Sequence, residues 1–361
     1  MFLTIIVFIL ILGVIILVHE LGHFVMAKRA GIRVEEFGFG FPPRIFGIKK
    51  GETIYSLNLF PLGGFVRIYG EDGKKESDPD NNRAFYSKSI GTRAKILVAG
   101  VAMNLLLSIF LLGIVYWIGL PNAVEDDEII EGAKVQVLQV APDSPSAESK
   151  IKSGDTIKEL RIGDEQLAVT TIKEVQDFSN EYKGKKITVV VERGDQILEK
   201  ELVPRIYHSE DEGPLGVALA RTAIVSYPWY QSFWKGIVST FYLAWFIIIS
   251  IGTILWQLIT TGHLTVDVAG PVGIFNLAGQ ATQLGFIYIL QFTAILNINL
   301  AIINILPFPA LDGGRLLFLG IEKIKGSPVS QKAEGLAHTI GFIILILLMI
   351  AVTWRDVIRI F

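Results

Sequence analysis

Residues 18–24, Val-His-Glu-Leu-Gly-His-Phe, decide how the whole chain is interpreted, because they place a metal-binding pattern at the end of an apolar run. Residues 2–18 carry no charged side chain, as expected of a segment inside a bilayer. On a helix, His19 and His23 are one turn apart and share a face. The spacing H-E-x-x-H predicts that both imidazoles bind one zinc ion. The carboxylate of Glu20 would then accept a proton from water at the metal.

The same pattern also occurs by chance on surface helices, where two histidines and a glutamate need no metal. The surroundings favour the metal site, because a carboxylate within an apolar run is costly and marks a functional site by default. A cleaved signal peptide is the competing interpretation of the first segment. It is disfavoured because the run lacks a basic start and a small-residue cleavage site.

The composition indicates a membrane protein with a soluble part. Of 361 residues, 51% are hydrophobic, and the formal net charge is −2. Residues 26–97 hold thirteen Lys and Arg against eight Asp and Glu, whereas residues 121–230 hold thirteen against twenty-one. Short basic loops stay in the cytoplasm, so we expect the first block inside and the second outside. The absence of cysteine excludes thiolate ligands, disulfides and a thiol nucleophile.

The alternation of apolar and polar segments predicts a polytopic α-helical membrane protein with four transmembrane helices. A cytoplasmic-side, membrane-associated β-hairpin region and one external α+β domain complete it. The predicted segments are transmembrane helix 1 (1–26), the cytoplasmic β and loop region (27–95), transmembrane helix 2 (96–120), the external domain (125–221), a membrane-associated or re-entrant helix and loop (229–285), transmembrane helix 3 (286–315) and transmembrane helix 4 (336–354).

The cytoplasmic region is predicted to contain a β-hairpin. Residues 53–60 alternate apolar and polar side chains as a strand does, and Pro-Leu-Gly-Gly at 61–64 predicts a turn into a second strand over 65–68. Such a hairpin could offer an edge to an extended peptide, or it could simply plug the membrane surface. Residues 71–82 and 268–274 are predicted to be loops.

The external domain is predicted from short periodic segments separated by turn residues. Strands are expected at 134–140, 156–160 and 215–219, with a hairpin of 185–192 and 197–203. Helices are expected after residue 144 and over 171–182.

Two histidines leave a catalytic zinc ion one protein ligand short. Asp312 is a better candidate for the third ligand than the remaining histidines. It follows residues 306–311, whose two prolines must break a membrane helix. Lipid tolerates such a break only beside a protein cavity. A helix cap is the alternative role for Asp312. The remaining histidines are isolated and are expected to have ordinary polar roles: His208, His263 and His338.

The second membrane helix contains one polar and several small residues of interest. Gly100 is expected to allow close packing of helices. Asn104 needs a polar partner inside the bilayer, and packing and support of the active site are equally good interpretations of it.

Residues 236–262 are uncharged and long enough to cross the bilayer. A full crossing would make residues 286–306 run outward and would carry Asp312 about 20 Å or more from His19, at 1.5 Å per residue. Zinc ligands lie about 2 Å from the metal. We therefore predict that residues 236–262 stay in the outer leaflet or re-enter it, which leaves residues 261–273 outside.

Five stretches together resemble the site-2 protease family, in its bacterial sigma-E-regulating branch, and the similarity runs from end to end. They are H-E-L-G-H-F (19–24), P-L-G-G-F-V (61–66), G-x-x-x-N (100–104), A-G-P-V-G-I (269–274) and N-I-L-P-F-P-A-L-D-G-G (304–314). The resemblance implies that His19, His23 and Asp312 are zinc ligands and that Glu20 is the base.

The resemblance also implies where substrates bind. Positions expected to contact the substrate are Asn304, Pro307, Pro309, Asn104, Gly63 and Gly64. Residues 125–221 resemble a circularly permuted PDZ domain of this family, in which Leu215, Gly216 and Val217 would border a groove for peptide ends. Relatives often carry two PDZ domains, whereas this chain has room for one.

The function implied is intramembrane zinc endopeptidase activity in the inner (plasma) membrane of a bacterium. Substrates would be single-span membrane proteins, such as anti-sigma factors or signal-peptide remnants, and no nucleic-acid partner is expected. A non-catalytic membrane protein that binds peptides through its PDZ domain is one rival, disfavoured by the intact Glu20. A membrane-anchored zinc protease that cleaves soluble proteins is another, disfavoured by the depth of the histidines in the bilayer.

Overall fold

The computed structural model describes residues 2–71, 73, 81–128, 130, 132–194, 196–207, 213–262 and 269–360. The chain divides into two compact units, one of Met1–Trp117 and Pro228–Phe361 and one of Ile118–Tyr227. His208, His263 and residues 72 and 74–80 of the loop predicted at 71–82 lie outside the described residues.

The elements follow one another in this order: α1 (Phe2–Arg29), β1 (Val34–Lys50), β2 (Thr53–Ile68), α2 (Ile90–Ile118), β3 (Leu120–Ala123), β4 (Lys134–Val140), α3 (Pro145–Glu148), β5 (Thr156–Ile162), β6 (Glu165–Ala168), α4 (Ile172–Glu181), β7 (Ile187–Arg193), β8 (Gln196–Leu202), β9 (Val217–Val225), α5 (Trp229–Thr261), α6 (Pro271–Leu284), α7 (Phe286–Ile305), α8 (Asp312–Lys325) and α9 (Gln331–Ile360).

In the described part of the chain, five helices are long and apolar enough to cross a membrane: α1, α2, α5, α7 and α9. The protein is therefore polytopic, as predicted. Four of these helices correspond to the predicted spans, and α5 is a further candidate by length and composition. Most of its side chains are exposed, and its buried residues form a stripe with a spacing of four: Ser232, Gly236, Thr240 and Ala244.

Buried hydrogen bonds fix the direction of three of these helices. The amide of Asn297 in α7 donates to the carbonyl of Asn104 in α2 (2.5 Å), and Ser108 in α2 donates to the carbonyl of Ala294 (3.2 Å). The later residue of α7 contacts the earlier residue of α2, so these two helices are antiparallel. Helix α1 is antiparallel to α2 as well, because His19 contacts Asn104 and His23 contacts Ile96. Helices α1 and α7 therefore run in the same direction and reach the same side of the unit.

Helix α9 runs back from that side. Its Gly341 lies against the carbonyl of Pro309, whereas Asp356, fifteen residues later, accepts the backbone N–H of Gly273 (2.8 Å). Helix α6 also packs near the start of α1, where the rings of Phe8 and Phe275 are 5.4 Å apart. Helix α6 therefore lies at the end of the unit where α1 begins. Its first residues, Pro271 to Ile274, were predicted to be a loop and instead form its first turn.

The prediction of a hairpin within residues 53–68 is wrong, because the turn expected at residues 61–64 is not there. Residues 61–64 continue β2 without interruption, and the turn between the strands is at Gly51 and Glu52. Strand β1 pairs with β2 twice, so that Phe37 faces both Tyr55 and Val66. Residues 64–67 are consequently held against β1, while residues 44–50 pair with 53–58.

The second unit is a sheet in the order β3-β9-β4-β5-β7-β8, with β6 paired to β5 and two helices packed on it. Its predicted strands and helices are present, although the last strand, predicted over 215–219, runs over 217–225 as β9; the short strands β3 and β6 are additions. The core is a continuous cluster of buried aliphatic side chains from the strands, closed by Phe178 of α4. Helix α4 begins with a capping box, in which Thr171 and Glu174 satisfy each other's backbone N–H groups.

Candidate metal centre

Two imidazoles and one carboxylate meet in the first unit, although the chain separates them by almost 300 residues. Nε2 of His19 lies 3.0 Å from Oδ2 of Asp312, and Nε2 of His23 lies 3.1 Å from Nε2 of His19 and 3.3 Å from Oδ2 of Asp312. Both histidines are buried. The three atoms form a nearly equilateral triangle, and this is the one cluster of potential metal ligands found among the described residues.

The triangle has the size and chemistry of a zinc site. Tetrahedral zinc holds nitrogen and oxygen ligands at about 2.0–2.2 Å, which places two ligands about 3.3–3.6 Å apart. The observed spacings are within a few tenths of an ångström of that range. Two histidines and one carboxylate also form a known ligand set of catalytic zinc. The residues therefore fit the metal.

Helix α2 orients both imidazoles from behind. Nδ1–H of His23 donates to the carbonyl of Ile96 (2.9 Å), which leaves Nε2 free of its proton and directed at the triangle. The side-chain amide of Asn104 lies 3.3 Å from Nδ1 of His19. Asn104 is fully buried, and this contact makes it a neighbour of the site as well as a packing residue between α2 and α7.

The rings of His19 and His23 rest directly on the backbone of α2 at Gly100. A Cβ atom there would lie 2.4 Å from Nε2 of His23 and 2.8 Å from Cε1 of His19. Real Cβ atoms do not approach neighbours so closely, so only glycine fits. Close packing was predicted for Gly100, but its contact with both predicted ligands was not.

Asp312 reaches the histidines because α7 ends early. Residues 306–311 form an irregular segment between α7 and α8, and Asp312 is the first residue of α8. A Cβ atom on Gly313 would lie 2.0 Å from the carbonyl oxygen of Leu306, so the segment can fold back only over glycine. The N-cap of α8 is Leu311, without a side-chain cap. The contacts of Asp312 thus favour the ligand role over the cap.

Glu20 lines a cavity of about 270 Å³ together with the two histidines and Asp312. A strand borders this cavity: Phe65, Val66 and Ile68 line it, and a Cβ atom on Gly64 would lie 3.5 Å from Cγ of Glu20. Arg315 lines it too and forms an ion pair with Glu71.

Of the other predicted substrate-binding and groove residues, some lie beside the metal centre and some do not. Nδ2 of Asn304 lies 3.4 Å from Nε2 of His19, which brings Asn304 into the site. Pro307 and Pro309 lie in the irregular segment but are not among the residues that line the cavity. Gly63 packs against the ring of Phe41. Leu215, Gly216 and Val217 belong to the second unit.

His338 was predicted to have an ordinary polar role, but it lines the same cavity, and its Nδ1 accepts the backbone N–H of Ala310 (2.9 Å). No local pattern in the sequence indicates this contact, since His338 lies within an apolar helix far along the chain from the histidine pair.

Comparison with known proteins identifies the family of this chain. The model of peptidase family M50 matches residues 7–348. The chain belongs to peptidase family M50. This is the site-2 protease family, whose members carry out intramembrane proteolysis, and the chain is accordingly a site-2 type metalloendopeptidase.

Among curated relatives, zinc metalloprotease RasP of Oceanobacillus iheyensis is 32% identical over 99% of both chains. The regulator of sigma-W protease RasP of Bacillus subtilis is 31% identical over 99% of both chains. The first of these alignments spans 442 positions against 361 residues here, so that relative contains an insertion.

Among solved structures, the PDZ domain of an SdrC-like protein from Listeria monocytogenes covers 26% of this chain and 92% of its own, at 21% identity and a TM-score of 0.21.

Proposed function

We propose that this enzyme hydrolyses a peptide bond inside single-span membrane proteins, with zinc held by His19, His23 and Asp312 and with Glu20 as the general base. The observation that carries the proposal is the triangle of ligand atoms beside the Glu20 carboxylate. Both histidines lie within α1, a helix long and apolar enough to cross a membrane, which supports a membrane-embedded substrate.

Each of the surrounding residues has a definite task in this reaction. A zinc ion bound by the three ligands supplies positive charge that polarises a carbonyl group and makes water more acidic. Glu20 takes a proton from the attacking water and returns it to the leaving amine. Asn304, whose Nδ2 lies 3.4 Å from Nε2 of His19, is proposed to donate to the carbonyl oxygen of the scissile bond as negative charge develops there. Asn104 keeps the His19 ring in its orientation.

A helical substrate must unwind before its peptide bonds can be attacked, and β2 provides an edge for the unwound segment. Residues 64–67 pair with β1 on one side, and no described strand pairs with their other side. Gly64 faces Glu20, and Phe65 and Val66 line the cavity. We propose that the substrate adds to this edge as an extended strand, so that its backbone passes the metal centre. We propose that Gly63, Pro307 and Pro309 also contact the unwound segment, and the two prolines keep residues 306–311 from becoming helical.

The second unit is proposed to be the PDZ domain predicted above. Strand β9 pairs along 217–222 with β4, whereas β3 covers only residues 222–225 of its other edge, among the described strands. Residues 217–220 therefore leave this edge unpaired among the described strands, and α4 contacts the same strand. A peptide end would add to this edge, and Leu215, Gly216 and Val217 would border the groove that holds it.

The membrane topology is proposed to have four full spans, with α5 as a segment that does not cross completely. Helix α6 lies at the end of the unit where α1 begins, which is about 22 Å from His19 at 1.5 Å per residue. Seven residue steps separate Gly262 from Ala269, which is at most about 25 Å of extended chain. That is less than the bilayer core of about 30 Å. This connection is too short to span the bilayer core, so we propose that the C-terminal end of α5 stays nearer the outer side, where α6 lies.

The membrane in question is proposed to be the bacterial inner (plasma) membrane, and the lipid bilayer itself is a partner of the exposed apolar helices. Because a relative with 99% coverage is named as a regulator of sigma-W, we propose anti-sigma factors as one substrate class. Signal-peptide remnants have the same single apolar helix and form a second class.

The proposal is tested with the purified chain in liposomes of bacterial phospholipid. A single-span helical protein, casein and a peptide with a free C-terminus are offered to the wild type and to Glu20→Gln, and the products are sequenced by mass spectrometry. We expect a cut within the span, none in casein, and none with Glu20→Gln. Cleavage of casein would indicate a protease of soluble proteins, and peptide binding without any cleavage would indicate a binding protein.

A further inference from the structure

The irregular segment that presents Asp312 is held in place by α9. Nδ1 of His338 accepts the backbone N–H of Ala310 (2.9 Å). One turn further along α9, Gly341 lies against the same segment, since a Cβ atom there would be 2.4 Å from the carbonyl oxygen of Pro309. These two contacts join α9 to the residues just before the carboxylate.

The backbone at Ala310 needs such a contact. Its φ angle is +79°, in the left-handed region that side chains other than glycine rarely adopt. Ala310 is two residues before Asp312, so a relaxation of this angle would swing the first turn of α8. The hydrogen bond to His338 also satisfies an N–H that would otherwise have no partner as the chain turns.

The imidazole of His338 is well suited to this task. Because Nδ1 accepts a hydrogen bond, the ring carries its proton on Nε2 and is neutral. Nε2 is buried and forms no hydrogen bond with any described residue; the carboxylate of Glu334 lies 3.9 Å from it. The ring lines both the metal cavity and a second cavity of about 690 Å³, so it forms part of the wall between them.

We propose that His338 is a positioning residue of the metal centre: it holds Ala310 in the left-handed conformation and thereby fixes the Asp312 carboxylate on the histidine triangle. This inference rests on the metal centre proposed above. It predicts that His338 affects zinc affinity although it does not touch the metal.

Two substitutions separate the hydrogen bond from the bulk of the ring. His338→Asn retains an acceptor, because Oδ1 is attached to Cγ as Nδ1 is in histidine. His338→Leu has similar bulk and no acceptor. Zinc dissociation constants are measured on the full chain in detergent, by competition with a chromophoric chelator. Supporting residues of this kind affect metal affinity about 10- to 100-fold. We expect a loss of that size for His338→Leu and a value within about threefold of the wild type for His338→Asn.

The zinc affinities of the two His338 variants can refute the role proposed for this residue. Wild-type zinc affinity in His338→Leu, or an equal loss in both variants, would overturn the inference. If the leucine variant does not fold, His338→Ala, which also lacks an acceptor, takes its place, and the same loss of zinc affinity is expected. Asp312→Asn is measured in parallel. If that variant binds zinc like the wild type, the metal centre itself is wrong and both proposals fall. If it loses zinc while His338→Leu does not, only the role of His338 is refuted.

Discussion

Replacing Gly100 by alanine should damage the metal centre through a single methyl group. The added Cβ atom would lie 2.4 Å from Nε2 of His23, 2.7 Å from its Cε1 and 2.8 Å from Cε1 of His19. Favourable contacts between such atoms are about 3.5 Å or more. The imidazoles would therefore have to move by roughly 1 Å, or α2 would have to move away from α1.

Either response weakens zinc binding, because ligand positions in a metal site are tolerant to only about 0.2 Å. Overpacking of this kind costs about 1–3 kcal/mol. If that cost is expressed as weaker binding, the zinc dissociation constant rises by roughly 5- to 150-fold. Cleavage should fall about 100-fold, the usual effect of a 1 Å misplacement of reacting groups.

The matched control is Gly91→Ala in the same helix, where an added Cβ atom meets nothing within 4 Å. Zinc affinity is measured by chelator competition and cleavage with a single-span substrate in liposomes. Gly91→Ala should behave as the wild type. A Gly100→Ala variant that binds zinc within about twofold of the wild type would refute the packing of both imidazoles on Gly100.

Four further predictions address the remaining parts of the enzyme. Glu20→Gln should retain zinc and lose at least about 100-fold in cleavage, because the ligands remain and the base does not; wild-type turnover would disprove its role. Asp312→Asn should lower both zinc content after dialysis and activity, since an amide is a poorer ligand; full zinc content by elemental analysis would favour the helix cap. Deleting residues 125–221 and inserting a short linker should leave zinc binding intact and increase cleavage of substrates with bulky external domains; unchanged selectivity would argue against a filter. Thr265→Cys, outside the described residues, should react with an impermeant maleimide in spheroplasts; labelling only after lysis would contradict the proposed topology.

The juxtaposition of the two proposed ligands on α1 could be predicted because helical periodicity is a local property. Once the segment is a helix, His19 and His23 must share a face, whatever packs against them. Asp312 could be predicted because two prolines in an apolar segment demand a break, and a break inside a membrane needs a cavity. In the structure, His19 and Asp312 are in contact although they are 293 residues apart in the chain.

The parts that escaped prediction depend on contacts between distant segments. Pro-Leu-Gly-Gly at 61–64 has the composition of a turn, yet pairing of Phe39 with Gly64 keeps it within β2. The contacts of His338 with Ala310, and of both imidazoles with Gly100, join residues from different helices and leave no local pattern. Strands β3 and β6 have four residues each, too few to show a periodicity.

X-ray absorption at the zinc edge tests the central claim, that this centre binds zinc through two histidines and one carboxylate, most directly. The purified, zinc-loaded chain should show only nitrogen and oxygen neighbours at about 2.0–2.2 Å, with the multiple scattering of two imidazoles. Asp312→Asn should remove or replace one oxygen neighbour and leave both imidazoles. A spectrum with three or more imidazoles, or one that is identical in the wild type and in Asp312→Asn, would contradict the account.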